Sequence, residues 1–504
     1  MLAITTAAIL LGVDGSPVTI EVHTTTGLPT FTVVGQPDGV CREARDRVRS
    51  AIQSAGCAFP MQRITVNLAP SAERKHGAGL DLGIAIALLA ASDQLPEGSI
   101  DNASFLGELG LDGTLRPVQG MVPLAEACSG RRLVVPLCQV GEASLVGAHE
   151  VRGGATLLQV VEALRGDAPW PTPVDVGRIR ARSVPAGDMA DVRGQLLARL
   201  AIEVAAAGAH HVLLTGPPGA GKTMLAERLP GLLPDLAHAE ALEATRVHSA
   251  AGSLDAHEGL LVRPPYIAPH HTTSAVALIG GGTASLRPGA VSAAHRGVLF
   301  LDELAEFPPL VLDTLRQPME EGVVRVHRAV GAATFPARFL LVAAMNPCPC
   351  GDGLTPGRCR CTPTQRLRGI RRVSVPLLDR FDLRILVERP GAAEVLGGPA
   401  GESTVDVAAR VACARSLAVE RGVTSNSMLR GAALTRHASL SAPASALLDR
   451  RLRSGALSAR GLDRVRRVAR TLADLRGEAG PISIEHLHLA LGLRHEVVPE
   501  AIAG

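Results

Sequence analysis

Short apolar runs alternate with helical patterns over residues 1–165. "SPVTIEVHTTTGLPTFTVVG" reads as two strand-like runs, broken at Gly27-Leu28-Pro29 where turn residues interrupt the β-rich pattern. "CREARDRVRSAIQSAG" spaces its apolar residues as a helix does and stops at Gly56, a suitable C-cap. "RITVNLAP" and "RLVVPL" read as further strands, and "GLDLGIAIALLAAS" is apolar all round, as a buried helix is. An α/β domain is expected there. "RGDAPWPTPVDVG" then packs three prolines into five residues, and 166–187 reads as a linker. Over 188–395, apolar strands separated by long helical or loop-rich stretches predict a doubly wound α/β core. From 396 to 504 the strand signal disappears. In "LSARGLDRVRRVARTLADL", Leu462, Val465, Val468, Leu472 and Leu475 recur every three or four residues, predicting a helix with one buried face and an Arg-rich opposite face. The fold class expected is α/β, with a helical C-terminal domain.

Composition mainly excludes. Aromatic residues are 2% of the 504, so cores must be built from Ala, Val and Leu, and base stacking on aromatic platforms is not the expected way to hold nucleic acid. Net charge is +3, yet residues 430–476 hold 11 Arg against 3 Asp, a local +8 that leaves about −5 elsewhere (3 − 8). No run approaches the roughly 18 apolar residues of a membrane span, so no membrane partner is expected. "MLAITTAAILLGVDG" has neither a positive n-region nor a cleavage site and is not read as a signal peptide. Nine cysteines without an export signal point to the cytoplasm, where clustered thiols suit metal better than disulfides.

The strongest chemical signal is "HHVLLTGPPGAGKTMLAERL". An apolar strand runs into Gly216-Pro217-Pro218-Gly219-Ala220-Gly221-Lys222-Thr223, and an amphipathic helix follows at once. Such a loop cradles phosphates on its backbone N–H groups, with Lys222 reaching the terminal phosphates of ATP and Thr223 offering a hydroxyl to Mg²⁺. Lys222 is one of only two lysines in the chain, so its place here is not compositional. "RGVLFLDELAEF" supplies Asp302 to hold the metal and Glu303 to orient or deprotonate the attacking water. "RFLLVAAMN" ends an apolar strand on Asn346, a polar group placed to sense the γ-phosphate.

These stretches, together with "PLLDRFDL", resemble an AAA+ ATPase, and more closely the magnesium-chelatase-like ComM/YifB family. The resemblance implies that Arg380 is an arginine finger acting on a neighbouring subunit, that Arg460 in "LSARG" is a second sensor, and that 188–195 lies near the adenine. It further implies a ring, expected to be a hexamer. The region between Lys222 and Asp302 would hold an insert with the triple glycine 280–282 as a flexible tip. "GVVRVHRAVGAATFPARF" reads as a second hairpin, whose Arg325, His327 and Arg328 are candidate DNA contacts. The N-terminal stretches resemble a Lon-protease-like domain. The positions aligned with its Ser nucleophile and Lys base are Gly79 and Val122, so the domain is expected to be catalytically inert.

"NPCPCGDGLTPGRCRC" concentrates four thiols in two Cys-x-Cys pairs: Cys348, Cys350, Cys359 and Cys361. They suffice for a closed tetrahedral Zn²⁺ site, although unligated thiols and redox pairing remain alternatives. The function expected is an ATP-driven DNA motor of branch-migration helicase type. The alternative is a chelatase-type motor driving metal insertion.

Overall fold

The computed structural model describes residues 1–71, 75, 77–172, 187–254, 259–282, 286–328, 331–351, 359–362, 364–365, 371–397 and 399–495. Most of the expected linker, 173–186, lies outside the described residues, as do Gly353 and Gly357 of the cysteine segment.

The N-terminal part is a seven-stranded mixed sheet. Its strands are β1 (Leu2–Leu11), β2 (Asp14–Thr25), β3 (Thr30–Val34), β4 (Arg63–Ala69), β5 (Ala103–Phe105), β6 (Arg132–Pro136) and β7 (Glu150–Gly154), in the order β3-β4-β2-β1-β5-β6-β7. The opening apolar run is thus a strand, paired antiparallel with β2 from Leu2↔His23 to Leu11↔Asp14. Helix α1 (Gly39–Ser54) starts on Asp38, whose carboxylate accepts the Cys41 N–H at 2.7 Å. Helix α2 (Asp81–Ala90) is buried from Asp81 to Leu89, as its unbroken apolar run requires.

The second sheet has five parallel strands: β8 (Val212–Thr215), β9 (Tyr266–Ile267), β10 (Val298–Leu301), β11 (Leu340–Met345) and β12 (Leu383–Leu386), in the order β9-β10-β11-β8-β12. Strands β8, β10 and β11 are buried throughout, which fits their near-continuous apolar sequence. After residue 403 the described residues carry helices and no strand. The longest are Thr404–Glu420 and Ala459–Leu475. No helix among the described residues is long and apolar enough to cross a membrane.

Two expectations need correction. The helix Ala459–Leu475 does not present a free Arg face. Val465, Val468 and Leu472 are buried as expected, but so are Arg467 and Arg470. Arg470 donates to Asp474 at 3.0 Å and to the Gly480 carbonyl at 2.8 Å, while Arg467 donates to the Ser427 carbonyl at 2.8 Å. These bonds offset part of the desolvation, which still draws both pKa values below the ordinary arginine value, so part of the local +8 is internal wiring. Nor is the triple glycine a loose tip. Gly280 and Gly281 pair with Pro288 and Arg287 and are buried. A Cβ on Gly280 (φ +104°) would stand 2.7 Å from the Arg287 carbonyl, so close backbone approach requires glycine there.

The two sheets are joined by specific contacts. Helix Met121–Ala127 packs on helix His238–Ala251: Gln119 donates to the Ala250 carbonyl at 2.6 Å, and Ser249 donates to Glu142 at 2.6 Å. The β1–β2 turn at Gly12 abuts Ala333 and Phe335 on the predicted hairpin, which forms as Val323–Arg328 against Gly331–Pro336.

Candidate functional site

β8 lies between β11 and β12, and its chain leaves the sheet at Gly216. A side chain there would meet the Val387 carbonyl at 2.2 Å. Gly219 and Gly221 hold φ of +75° and +87°, conformations a side chain disfavours. The resulting loop is pinned from outside: Gln195 donates to the Ala220 carbonyl at 2.7 Å, and Arg389 donates to the Pro218 carbonyl at 3.0 Å. Neither residue was singled out by the motif, because each reaches the loop from a distant part of the chain.

Inside the loop, Lys222 Nζ donates to the carbonyls of Gly216 (2.7 Å) and Pro217 (3.0 Å) and to Asn346 Oδ1 (3.1 Å). Burial draws its pKa below the ordinary lysine value, against the opposing pull of Asp302 and Glu303. Thr223 Oγ1 donates to Asp302 Oδ2 at 2.9 Å. Glu303 has a positive φ of 51°, and its N–H donates to Asp302 Oδ1 at 2.9 Å. Its carboxylate meets His271 Nδ1 at 3.3 Å. Residues 218–224 with Asp302, Glu303, Met345 and Asn346 line a cavity of about 470 Å³. The three expected strand-end groups therefore converge at one sheet edge, where parallel strands present their carboxyl ends.

Arg380 and Arg460 stand elsewhere. Arg380 precedes β12 by three residues, so it lies at the amino-terminal edge of the sheet. Register pairs Val212 with Leu383 and Thr215 with Leu386, which sets the length of a strand, about 10 Å, between Arg380 and the phosphate loop. Arg380 donates to Glu320 at 2.5 Å and to the carbonyls of Pro376 (2.6 Å) and Arg316 (3.2 Å). Burial lowers its pKa; Glu320 opposes this, while the nearby cations Arg316, Arg464 and Arg460 add to it. Arg460 is exposed on the first turn of Ala459–Leu475.

The cysteine segment leaves β11 beside the phosphate loop. Sulfur separations are 3.3 Å for Cys348–Cys350, 3.8 Å for Cys348–Cys359 and 3.7 Å for Cys350–Cys359, and all four Sγ atoms lie within 4.8 Å of one another. Four thiolates at about 2.3 Å from a tetrahedral ion stand about 3.8 Å apart, so this set fits zinc. Gly351 (φ +81°) sits against Pro218, where a Cβ would come within 2.5 Å of the proline ring. The cysteine segment thus touches the phosphate loop directly.

Of the candidate DNA contacts, His327 and Arg328 are exposed on the hairpin, and Arg325 is paired with Glu321. In the N-terminal part, Val122 is buried and donates its N–H to Ser249 at 3.2 Å. Gly79 lies beside Val118, and Lys75 is buried with Nζ donating to the Pro70 carbonyl.

Family comparison agrees with this geometry. Residues 188–395 match the model described as "Magnesium chelatase, subunit ChlI", residues 20–138 match "Subunit ChlI of Mg-chelatase", and residues 401–494 match "Magnesium chelatase, subunit ChlI C-terminal". An uncharacterized protein of Mycobacterium tuberculosis is 47% identical over 493 residues, 96% of each chain. Competence protein ComM of Haemophilus influenzae is 43% identical over 500 residues, 98% of this chain and 97% of its own. YifB of Escherichia coli is 42% identical over 492 residues, 96% of this chain and 95% of its own. The chain belongs to the ComM/YifB family of magnesium-chelatase-like AAA+ ATPases.

Proposed function

We propose that this chain is an ATP-driven motor that works as a ring on DNA and migrates branched joints during recombination. The observation that carries the reading is the division of the site between two sheet edges. Lys222, Thr223, Asp302, Glu303 and Asn346 gather at one, and Arg380 and Arg460 stand at the other. One chain cannot close this site on itself; a neighbour placed head-to-tail supplies the missing arginines, and repetition of that contact makes a closed ring, here a hexamer. Gly216–Thr223 would cradle the phosphates of ATP, with Lys222 on the terminal pair. Thr223 and Asp302 would hold Mg²⁺, Glu303 would orient water, and Asn346 would read the γ-phosphate. Arg380 and Arg460 of the adjacent subunit would stabilise the charge that develops on phosphoryl transfer.

Four thiolates at tetrahedral spacing support a structural zinc on Cys348, Cys350, Cys359 and Cys361. Arg325, His327 and Arg328 would face DNA from the hairpin. The N-terminal domain would be a scaffold without protease activity, since Gly79 and Val122 offer neither nucleophile nor base. The word competence in the name of the Haemophilus relative supports a role in recombination during natural transformation; the compartment proposed is the cytoplasm. The deciding experiment measures ATP turnover with forked, Holliday-junction and duplex DNA, alongside junction migration. Stimulation by branched DNA with ATP-dependent migration is expected. If no DNA alters turnover and no junction moves, the motor reading fails and a chelatase-type ATPase takes its place.

A further inference from the structure

Val13 is buried where a valine would ordinarily be exposed. It stands at the second position of the two-residue turn Gly12-Val13, which joins β1 to β2 beyond the paired Leu11 and Asp14. Turn tips face water as a rule, yet Val13 is 1% exposed. It belongs not to the core of its own domain but to the buried cluster that holds Val247 and Ala250 of helix His238–Ala251 and Val324, Val326 and Phe335 of the hairpin. Leu10 packs against both cores. Asp14 then meets Arg246 of the same helix at 3.6 Å, and Glu126 meets the same guanidinium at 3.5 Å. The turn is thus a plug from the N-terminal domain, seated against a helix and the hairpin of the ATPase domain.

The hairpin needs such support. Among the described residues, Val323–Arg328 and Gly331–Pro336 pair with each other and with no third strand. A two-stranded ribbon is marginal alone, so its direction is set by what packs on it. Alternation sends Val324 and Val326 inward and leaves Arg325 and His327 on the other face. Phe335, fully buried, is the anchor. A Cβ on Gly12 would come within 3.1 Å of one side of its ring, and a Cβ on Gly280 within 3.2 Å of the other. Two glycines from separate domains therefore make room for one ring.

We propose that the Gly12-Val13 turn is a positioning element for DNA binding: from the N-terminal domain it fixes the direction of the hairpin, and so of Arg325, His327 and Arg328. The proposal rests on the reading of those three residues as DNA contacts. It gives the N-terminal domain a role that needs neither nucleophile nor base. The turn touches no part of the phosphate loop, so its loss is read in the hairpin and in DNA affinity rather than in ATP affinity.

Hydrogen exchange and DNA binding on the full-length chain test this. Val13→Ala is expected to speed exchange of the hairpin amides about tenfold or more, while β8, β10 and β11 keep their protection. Affinity for a labelled forked DNA, at one fixed ionic strength, is expected to fall about threefold to tenfold, with ATP affinity held within about twofold. Arg328→Ala is expected to lower the same affinity. Adding Val13→Ala to it is expected to cost less than Val13→Ala costs alone, because the turn acts through the hairpin's contacts. Unchanged hairpin exchange in Val13→Ala, or equal loss of protection in β8, β10 and β11, overturns the proposal. So does faster hairpin exchange at unchanged DNA affinity when Arg328→Ala is impaired. If Arg325→Ala and Arg328→Ala both bind DNA normally, the DNA reading of the hairpin fails first, and the role of the turn in binding with it; the exchange result then still decides whether the turn braces the hairpin.

Discussion

The two edges of the five-stranded sheet are built by opposite means. At the carboxyl-terminal edge the loop conformation depends on glycines, and its charged groups face an open cavity of about 470 Å³. At the amino-terminal edge the charges are tied down. Asp382, between Phe381 and β12, meets His210 at 3.3 Å and Arg464 at 3.3 Å, and His210 meets Thr471 at 2.8 Å. Asn426 joins Thr471 (3.2 Å) to Asp474 (2.7 Å), and Asp474 takes Arg421 at 2.5 Å and Arg470 at 3.0 Å. One edge is preorganised to receive a ligand. The other binds the helical domain rigidly to the strand that follows Arg380. That contrast suits the finger role proposed for Arg380, since a finger must arrive in a neighbour's site in fixed geometry.

The comparison is broken most directly by separating the edges onto different chains. Lys222→Ala and Arg380→Ala are each expected to lower ATP turnover by about 10³-fold or more. Mixed together they are expected to recover a measurable fraction of it, because an Arg380→Ala chain keeps an intact loop and a Lys222→Ala chain keeps an intact arginine. If the mixture stays as inactive as its components, Arg380 does not act across subunits. If Arg380→Ala alone is fully active, the amino-terminal edge has no part in hydrolysis.

The same contrast governs what could be read from sequence. The carboxyl-terminal edge was legible because its chemistry lies in contiguous runs: 216–223, 302–303 and Asn346 at strand ends. Parallel strands then bring those ends together without further instruction. Arg389 and His271 escaped notice because they reach the site from separate segments, and no spacing rule links them to it; Gln195 came into view only through the family resemblance of 188–195, not through any spacing rule. At the other edge periodicity found the buried stripe of Ala459–Leu475 but assigned its arginines to solvent. Arg467 and Arg470 are buried because their partners lie outside the helix: Ser427 on the short 3-10 turn Asn426–Met428, and Glu478 and Gly480 on the loop that follows it. A helical wheel cannot show such loops. The triple glycine misled for a related reason: glycine marks both flexible tips and close packing, and only tertiary contact distinguishes them.

The cysteine segment sharpens the comparison, since it supports only the carboxyl-terminal edge. Freshly purified protein is expected to hold about one zinc per chain by metal analysis. Stripping it with a chelator is expected to lower turnover several-fold, because Gly351 rests on Pro218 and Asn346 bonds Lys222. A stripped Lys222→Ala chain should still restore an Arg380→Ala partner, because its own loop is already disabled and its arginine lies at the far edge. Loss of that rescue places the metal's influence across the whole domain. A metal-free chain that is folded and fully active removes the zinc assignment.

The smallest effect probes the amino-terminal edge through acid. His211 ends the approach to β8, and its Nδ1 accepts the Leu341 N–H at 3.0 Å, while its carbonyl receives the N–H groups of Asp382 and Leu383 at 3.0 Å each. Burial pushes its pKa down from 6.5 to about 4, although Asp382 pulls the other way. Between those values the unfolded chain binds a proton that the folded chain refuses. Stability contributed by neutral His211 is therefore complete above pH 6.5 and is lost as pH falls towards 4, after which this group adds no further slope. The denaturation midpoint is expected to fall from pH 7 to pH 5 more steeply in the native chain than in His211→Asn, which keeps an acceptor but cannot titrate. Equal slopes in the two proteins show that protonation at this edge is not resisted by the fold, and that its rigidity rests on the Asp382 and Asp474 networks alone.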